Sequence, residues 1–204
     1  MKYADSNKVA PFAFRFQFGV TPYPTVGNAS ILTTLAQAGI NYISTGMEGG
    51  IADATCYPGT TADKRDFLYW YATDWTNINL NLDISNEIIN GSNNPINPLY
   101  IDQNGINRLE GRAAATLSRG VTYGLLNGIV VQAELDSATF DQNLNNGVYA
   151  GKAVINAIPF LTYYTDNPSD YATGTYNGMA AVVVPSRGFL HILFNLNITD
   201  FVTQ

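Results

Sequence analysis

The chain has 204 residues, a formal net charge of −6 and only 13% charged residues, against about 25% in an ordinary soluble domain. The acidic balance and the lack of any basic cluster exclude nucleic acid as the main partner, because phosphate binding needs a positive patch. One cysteine, Cys56, excludes an internal disulfide framework, and a single histidine, His191, leaves no zinc-ligand spacing.

No run approaches the ~20 apolar residues of a membrane span. "MKYADSNKVAPF" has no apolar core of signal-peptide length. A soluble protein folded in the cytosol is expected. Polarity is carried by Asn, Thr, Ser and Gln, a composition suited to surfaces that meet other protein.

In chain order, "APFAFRFQFGV" places Phe12, Phe14, Phe16 and Phe18 at alternating positions and predicts a strand. "ASILTTLAQA" predicts a short helix after Asn28 or Ser30, closed by Gly39. "INYIST" predicts a strand, "GMEGG" a turn, and "IADATCYPG" a second strand or extended edge. A long helix follows, capped by Thr61 or Asp63, with acidic residues in its first turn. Phe67, Tyr71, Trp75, Ile78, Leu82 and Ile89 recur in it at helical spacing. "INLNLDI" also alternates, yet one 3.6-residue period covers the whole stretch, so helix is preferred.

"NGSNNPINPLY" breaks that helix. A further helix is expected from about residue 104 to 118, with Gly120 past its end. "NGIVVQAEL" predicts a strand, "DSATFDQNLNNG" a helical or looped excursion, and "AVINAIPFLTYYT" renewed extended structure. "DNPSDYATGTYNGMA" is turn-rich, with Pro168 suited to a helix start. "AAVVVP" precedes a terminal stretch in which Leu190, Ile192, Phe194, Leu196 and Ile198 alternate as one strand face. Strands and helices mix without strict βαβ repetition. The expected class is therefore α+β (mixed α/β), a central mixed sheet flanked by helices. Nothing demands two domains, so residues 1–204 are expected as one, with 189–204 as a terminal strand or arm.

Catalytic constellations are sparse. His191 reads as a sheet residue and Cys56 as a small core residue. Asp63 and Asp66 fit a helix first turn, and Asp166 with Asp170 fit turn and cap roles. Glu48 and Asp53 flank the Gly-rich turn and are the carboxylates least explained by structure. A pair of this kind is the machinery of glycoside hydrolysis, so a glycan-active hydrolase is one alternative. Arg108, Arg112 and Arg119 with Glu110 make the 104–118 helix the most charged one, either as a solvated face or as an electrostatic contact to a partner. The expectation is a non-enzymatic protein with no metal and no cofactor.

Several phrases in order resemble the C-terminal half of phage contractile-tail sheath proteins. They are "QAGINYI", "EGGIADAT", "GTTADKRDFLYWYATDW", "NGSNNPINPLYIDQNGINRL", "NPSDYATGTYNGM" and "RGFLHILFNLNITDF". The resemblance covers most of the chain from about Leu35 onward. Sheath proteins usually carry a longer N-terminal half, so this chain is expected to be a fragment or a shortened relative.

The resemblance implies a subunit that polymerises with itself in hexameric rings around a tail tube and contracts to drive genome delivery. It implies tube and baseplate proteins as partners, and a virion-tail location after assembly in the host cytoplasm. It implies no catalytic residues and no membrane insertion. Terminal strands of the family add to a neighbour's sheet, which makes Leu190, Ile192, Phe194, Leu196, Ile198 and Phe201 interface candidates. Arg108, Arg112 and Arg119 are the tube-facing candidates, because slidable contacts favour screened charge. The other structural alternative is a tube, baseplate or capsid-decorating protein.

Overall fold

A computed structural model describes residues 8–23, 28–48 and 51–190. The fold is mixed α+β, as the sequence predicts. The chain divides into two compact units, one within Pro11–Asp66 and Arg187–Gln204, the other within Met1–Ala10 and Phe67–Ser186.

The smaller unit holds helix α1 (Ala29–Gln37) and an antiparallel pair, β1 (Tyr42–Glu48) and β2 (Ile51–Tyr57). Gly39 follows α1 at φ +67°, the left-handed position that ends helices and favours glycine. Tyr42 and Tyr57 oppose each other across the first rung and stack at 5.1 Å.

The expected phenylalanine strand does not form. Phe14 adopts φ +58°, which breaks alternation and turns the chain. Only a short edge is hydrogen-bonded to β2: Phe14 N–H donates to the Cys56 carbonyl at 2.7 Å, and Cys56 N–H donates to the Arg15 carbonyl at 2.9 Å. Phe14 and Phe18 consequently project outward.

The larger unit begins with α2 (Phe67–Ser92) and α3 (Gln103–Thr122). It continues through β3 (Val130–Ala133), α4 (Ser137–Asn145), β4 (Ala153–Ala157), α5 (Phe160–Asp166), α6 (Pro168–Ala172) and β5 (Met179–Val182). The start of α2 differs from expectation. Thr61–Arg65 closes a separate turn, with Lys64 at φ +63°, so neither Thr61 nor Asp63 caps the helix and its first turn holds no acid. Asp63 pairs with Arg65, and the Asp66 carboxylate accepts from Gly188 N–H at 2.7 Å. The "INLNLDI" stretch is helical, as the single period predicts.

Helix α3 is capped by Asp102, whose carboxylate accepts from Gly105 N–H at 2.7 Å. It runs past Gly120, which is buried and lies close against Leu126 and Trp75. The left-handed residue after the helix is Gly124 instead, at φ +76°. The "AVINAIPFLTYYT" stretch is extended only through Ala157. After Pro159 the chain turns helical as α5. Pro168 opens α6, as expected.

The sheet order is β3-β4-β5, parallel between β3 and β4 and antiparallel between β4 and β5. All five residues of β4 are buried. Successive strand side chains point to opposite faces. Ala153 and Ile155 therefore join Leu68, Ala72, Ala113, Leu117, Leu125 and Leu126 in a core from α2 and α3. Val154 points the other way, to Ala133 and Phe140 of α4. Asn156 is buried and makes two hydrogen bonds to the backbone of Leu135, both at 3.0 Å, which fixes the chain leaving β3.

Candidate functional site

The most organised polar geometry lies between α2 and α3. Glu87 receives Arg108 at 2.7 Å and Arg112 at 3.0 Å. Asp83 receives Arg119, and also Thr116 Oγ1 at 2.5 Å. Arg108 additionally donates to the carbonyls of Asn97 and Pro98 at 3.1 and 3.3 Å. The hydrogen bond from Arg108, with support from Arg112, holds the Glu87 carboxyl below the usual carboxylate range. All three tube-facing candidates are thus engaged within the chain, while Arg112 and Arg119 remain half-exposed.

This arrangement sorts the charges of α2. The helix has three ionisable side chains other than tyrosine: Asp74, Asp83 and Glu87. Asp83 and Glu87 turn toward α3, which leaves Asp74 alone among them on the outer side. The apolar row of α2 divides, with Tyr71 and Trp75 packed against the core and Phe67, Ile78, Leu82 and Ile89 exposed. Leu68 and Ala72 are buried, while Ile78, Leu82 and Ile89 are 56%, 55% and 58% exposed. The helix therefore carries two apolar stripes, and tertiary packing selected the one containing Leu68 and Ala72.

A cavity of about 410 Å³ opens between the end of α2, the start of α3 and the chain entering β5. Ile84, Ile88, Leu99, Ile106, Tyr176 and Met179 are among its walls. Gly105 forms part of the wall, and a Cβ there would stand 1.9 Å from the Tyr100 carbonyl oxygen.

Near Tyr176, Glu110 is only 3% exposed, and its Oε1 has no hydrogen-bond partner. Burial pushes the Glu110 carboxyl above the usual range, and Glu134 adds to the effect. Tyr176 is likewise pushed up by burial, then by Glu110, while its hydroxyl donates to the Ile158 carbonyl at 2.7 Å. The burial of Glu110 had a signal in the sequence. Ile106, Glu110, Ala113 and Leu117 share one helical face, all buried.

The remaining expected positions are dispersed. Glu48 pairs with Ile51 and Asp53 with Gly46 across the hairpin, and the Asp53 side chain is exposed. Cys56 is buried, and burial raises its thiol. Leu190 lies in a bend and is half-buried; His191, Ile192, Phe194, Leu196, Ile198 and Phe201 lie outside the described residues.

Among the described residues, no group of three or more His, Cys, Asp or Glu side chains is placed to hold a metal ion. Among them too, no helix is long and apolar enough to cross a membrane. Neither a protein-family model nor a curated protein sequence matches this chain.

Proposed function

We propose that this chain is a structural subunit of a bacteriophage contractile-tail sheath, polymerising around a tail tube in the virion tail. The observation that carries the assembly half of this proposal is the character of the surface. Charge is scarce at 13%, while large apolar side chains stand in solvent, among them Phe18, Ile96, Leu161 and Phe189. Surfaces low in charge and rich in exposed aromatic and aliphatic groups suit protein contacts. The ordered resemblance of six phrases to sheath proteins supplies the sheath half.

In this role the terminal segment from residue 189 adds to a neighbouring subunit by strand pairing. Tube and baseplate proteins are the other partners. Negative-stain electron microscopy of the purified chain tests the proposal. Tubular polymers are expected from the full chain, and folded subunits without tubes from a chain lacking residues 189–204. A full chain that stays monomeric or forms only small rings would point to another virion component. A truncated chain that unfolds would place the segment in the subunit's own core.

A further inference from the structure

The sequence holds five Asn-Gly dipeptides, beginning at Asn90, Asn104, Asn127, Asn146 and Asn177. Such a pair is chemically labile. The glycine nitrogen can attack the carbonyl carbon of the Asn side chain, because glycine has no side chain to hinder the approach and its backbone turns freely. The fold treats these pairs differently. Gly91 lies inside α2 and is buried. Gly105 is buried too, and its N–H donates to the Asp102 carboxylate at 2.7 Å. The Gly147 N–H donates to the Leu144 carbonyl at 3.0 Å. Gly178 is buried with the Tyr176 ring against it. Each of these amides is either engaged or shut off from the base that must take its proton.

Asn127 and Gly128 differ. Both are exposed, and the Gly128 N–H donates to nothing among the described residues. Asn127 Oδ1 accepts from the Ser186 hydroxyl at 3.1 Å. Gly128 has φ +83°, and a Cβ there would stand 1.8 Å from the Gly151 carbonyl oxygen. The turn therefore demands glycine, and with it the most reactive successor an asparagine can have.

We propose that Asn127 is a site of spontaneous deamidation, assisted by the Ser186 hydroxyl. The Gly128 nitrogen loses its proton to hydroxide and bonds to Cγ of Asn127. Negative charge builds on Oδ1, where Ser186 already donates. Nδ2 takes a proton from water and leaves as ammonia when the Cγ–Nδ2 bond breaks, which closes a succinimide ring. Water opens the ring at either carbonyl and yields aspartate or isoaspartate. The net change consumes water and releases ammonia, with no oxidation or reduction.

The product alters a tie in the fold. Asn127 N–H donates to the Val184 carbonyl at 2.9 Å, and Ser186 N–H to the Leu125 carbonyl at 2.8 Å, so this turn holds the chain that follows β5. Either product adds a carboxylate there. Isoaspartate also lengthens the main chain by a methylene, which displaces these bonds. The reaction needs no second chain and stands apart from the sheath proposal.

The test incubates the full chain in mildly alkaline, ammonium-free buffer. Proteolysis and tandem mass spectrometry follow each Asn-Gly pair, with electron-transfer fragmentation separating isoaspartate from aspartate. In the folded chain, conversion at Asn127 should lead all the others. In urea the rates should converge, because every pair is then equally open. Ser186→Ala should slow conversion at Asn127 by about 2- to 10-fold, the worth of one hydrogen bond to the developing charge, and leave the other pairs unchanged. Ser186→Thr keeps a hydroxyl and should keep the rate. Melting curves by circular dichroism check that both variants fold, and the ranking within the parent chain needs no variant. Conversion led by another pair in the folded chain, or the same ranking folded and in urea, overturns the site. An unchanged or faster rate in folded Ser186→Ala overturns the assistance, since the hydroxyl would then only restrain the amide.

Discussion

The carboxylate of Glu87 on α2 takes the guanidinium of Arg108 on α3 at 2.7 Å, with the Glu87 side chain only 14% exposed. Arg108 also ties the loop between the helices through two carbonyls. Removing it leaves the mostly buried carboxylate with Arg112 alone and takes the guanidinium donor from two loop carbonyls. Arg108→Ala is therefore expected to cost about 1–3 kcal/mol. Arg112→Ala, at a half-exposed site, should cost ~0.2–1 kcal/mol. Urea denaturation at neutral pH compares them, and equal losses would refute the ranking.

The Glu87 carboxyl lies below its ordinary range, so its contribution is present above the unfolded value and lost as pH falls through the folded one. The penalty for Arg108→Ala should shrink accordingly under strongly acidic conditions.

Glu110 titrates in the opposite sense. Its folded-state carboxyl is raised by burial, then by Glu134. Stability from the protonated acid is fully present below the unfolded value and lost as pH rises through the folded one. Glu110→Gln keeps the shape and removes the charge. The variant should match the parent near pH 4 and exceed it at neutral pH by about 1–3 kcal/mol, the scale of an unsatisfied buried polar group. Denaturation curves across that range decide it. A constant offset at every pH would show that ionisation plays no part.

Two glycines of α3 should respond with opposite signs. A Cβ at Gly105 meets the backbone oxygen of Tyr100, whereas one at Gly111 meets nothing within 4 Å. Gly105→Ala should destabilise by about 1–3 kcal/mol through overpacking. Gly111→Ala should stabilise by roughly 0.5–1 kcal/mol, as glycine in a helix interior is costly. Thermal melts of both variants test this pair.

Asn156→Asp removes the amide donor to the Leu135 carbonyl while keeping the side-chain shape. A buried acceptor is then left unpaired, and the new carboxylate is itself buried. The expected loss is about 1–3 kcal/mol at neutral pH, partly recovered on acidification as the carboxyl regains a proton. Loss that is the same in acid would argue for a packing defect instead.

Much of this architecture is legible in the sequence because local rules decide it. The 3.6-residue period of Phe67–Ile89 marks α2, and Pro168 marks the start of α6. What local rules leave open is which side of an element meets the core. α2 has apolar residues on two sides, and only its packing with α3 selects Leu68 and Ala72 over Ile78 and Leu82. Alternation in "FAFRFQF" promised a strand, but the positive φ of Phe14 leaves no trace in residue type. The arginines of α3 were visible as a row. Their acceptors Asp83 and Glu87 stand far away in sequence, so the pairing was not.

The placement of β4 has a consequence for synthesis. Its residues are buried, yet one neighbour, β3, precedes it and the other, β5, is translated later. As the chain leaves the ribosome, α2 and α3 can dock through local contacts, while the far row of β4 amides and carbonyls waits for Met179–Val182. Until then that row is an open template for any passing strand. A nascent chain stalled between Ala157 and Met179 would be the species most in need of a chaperone.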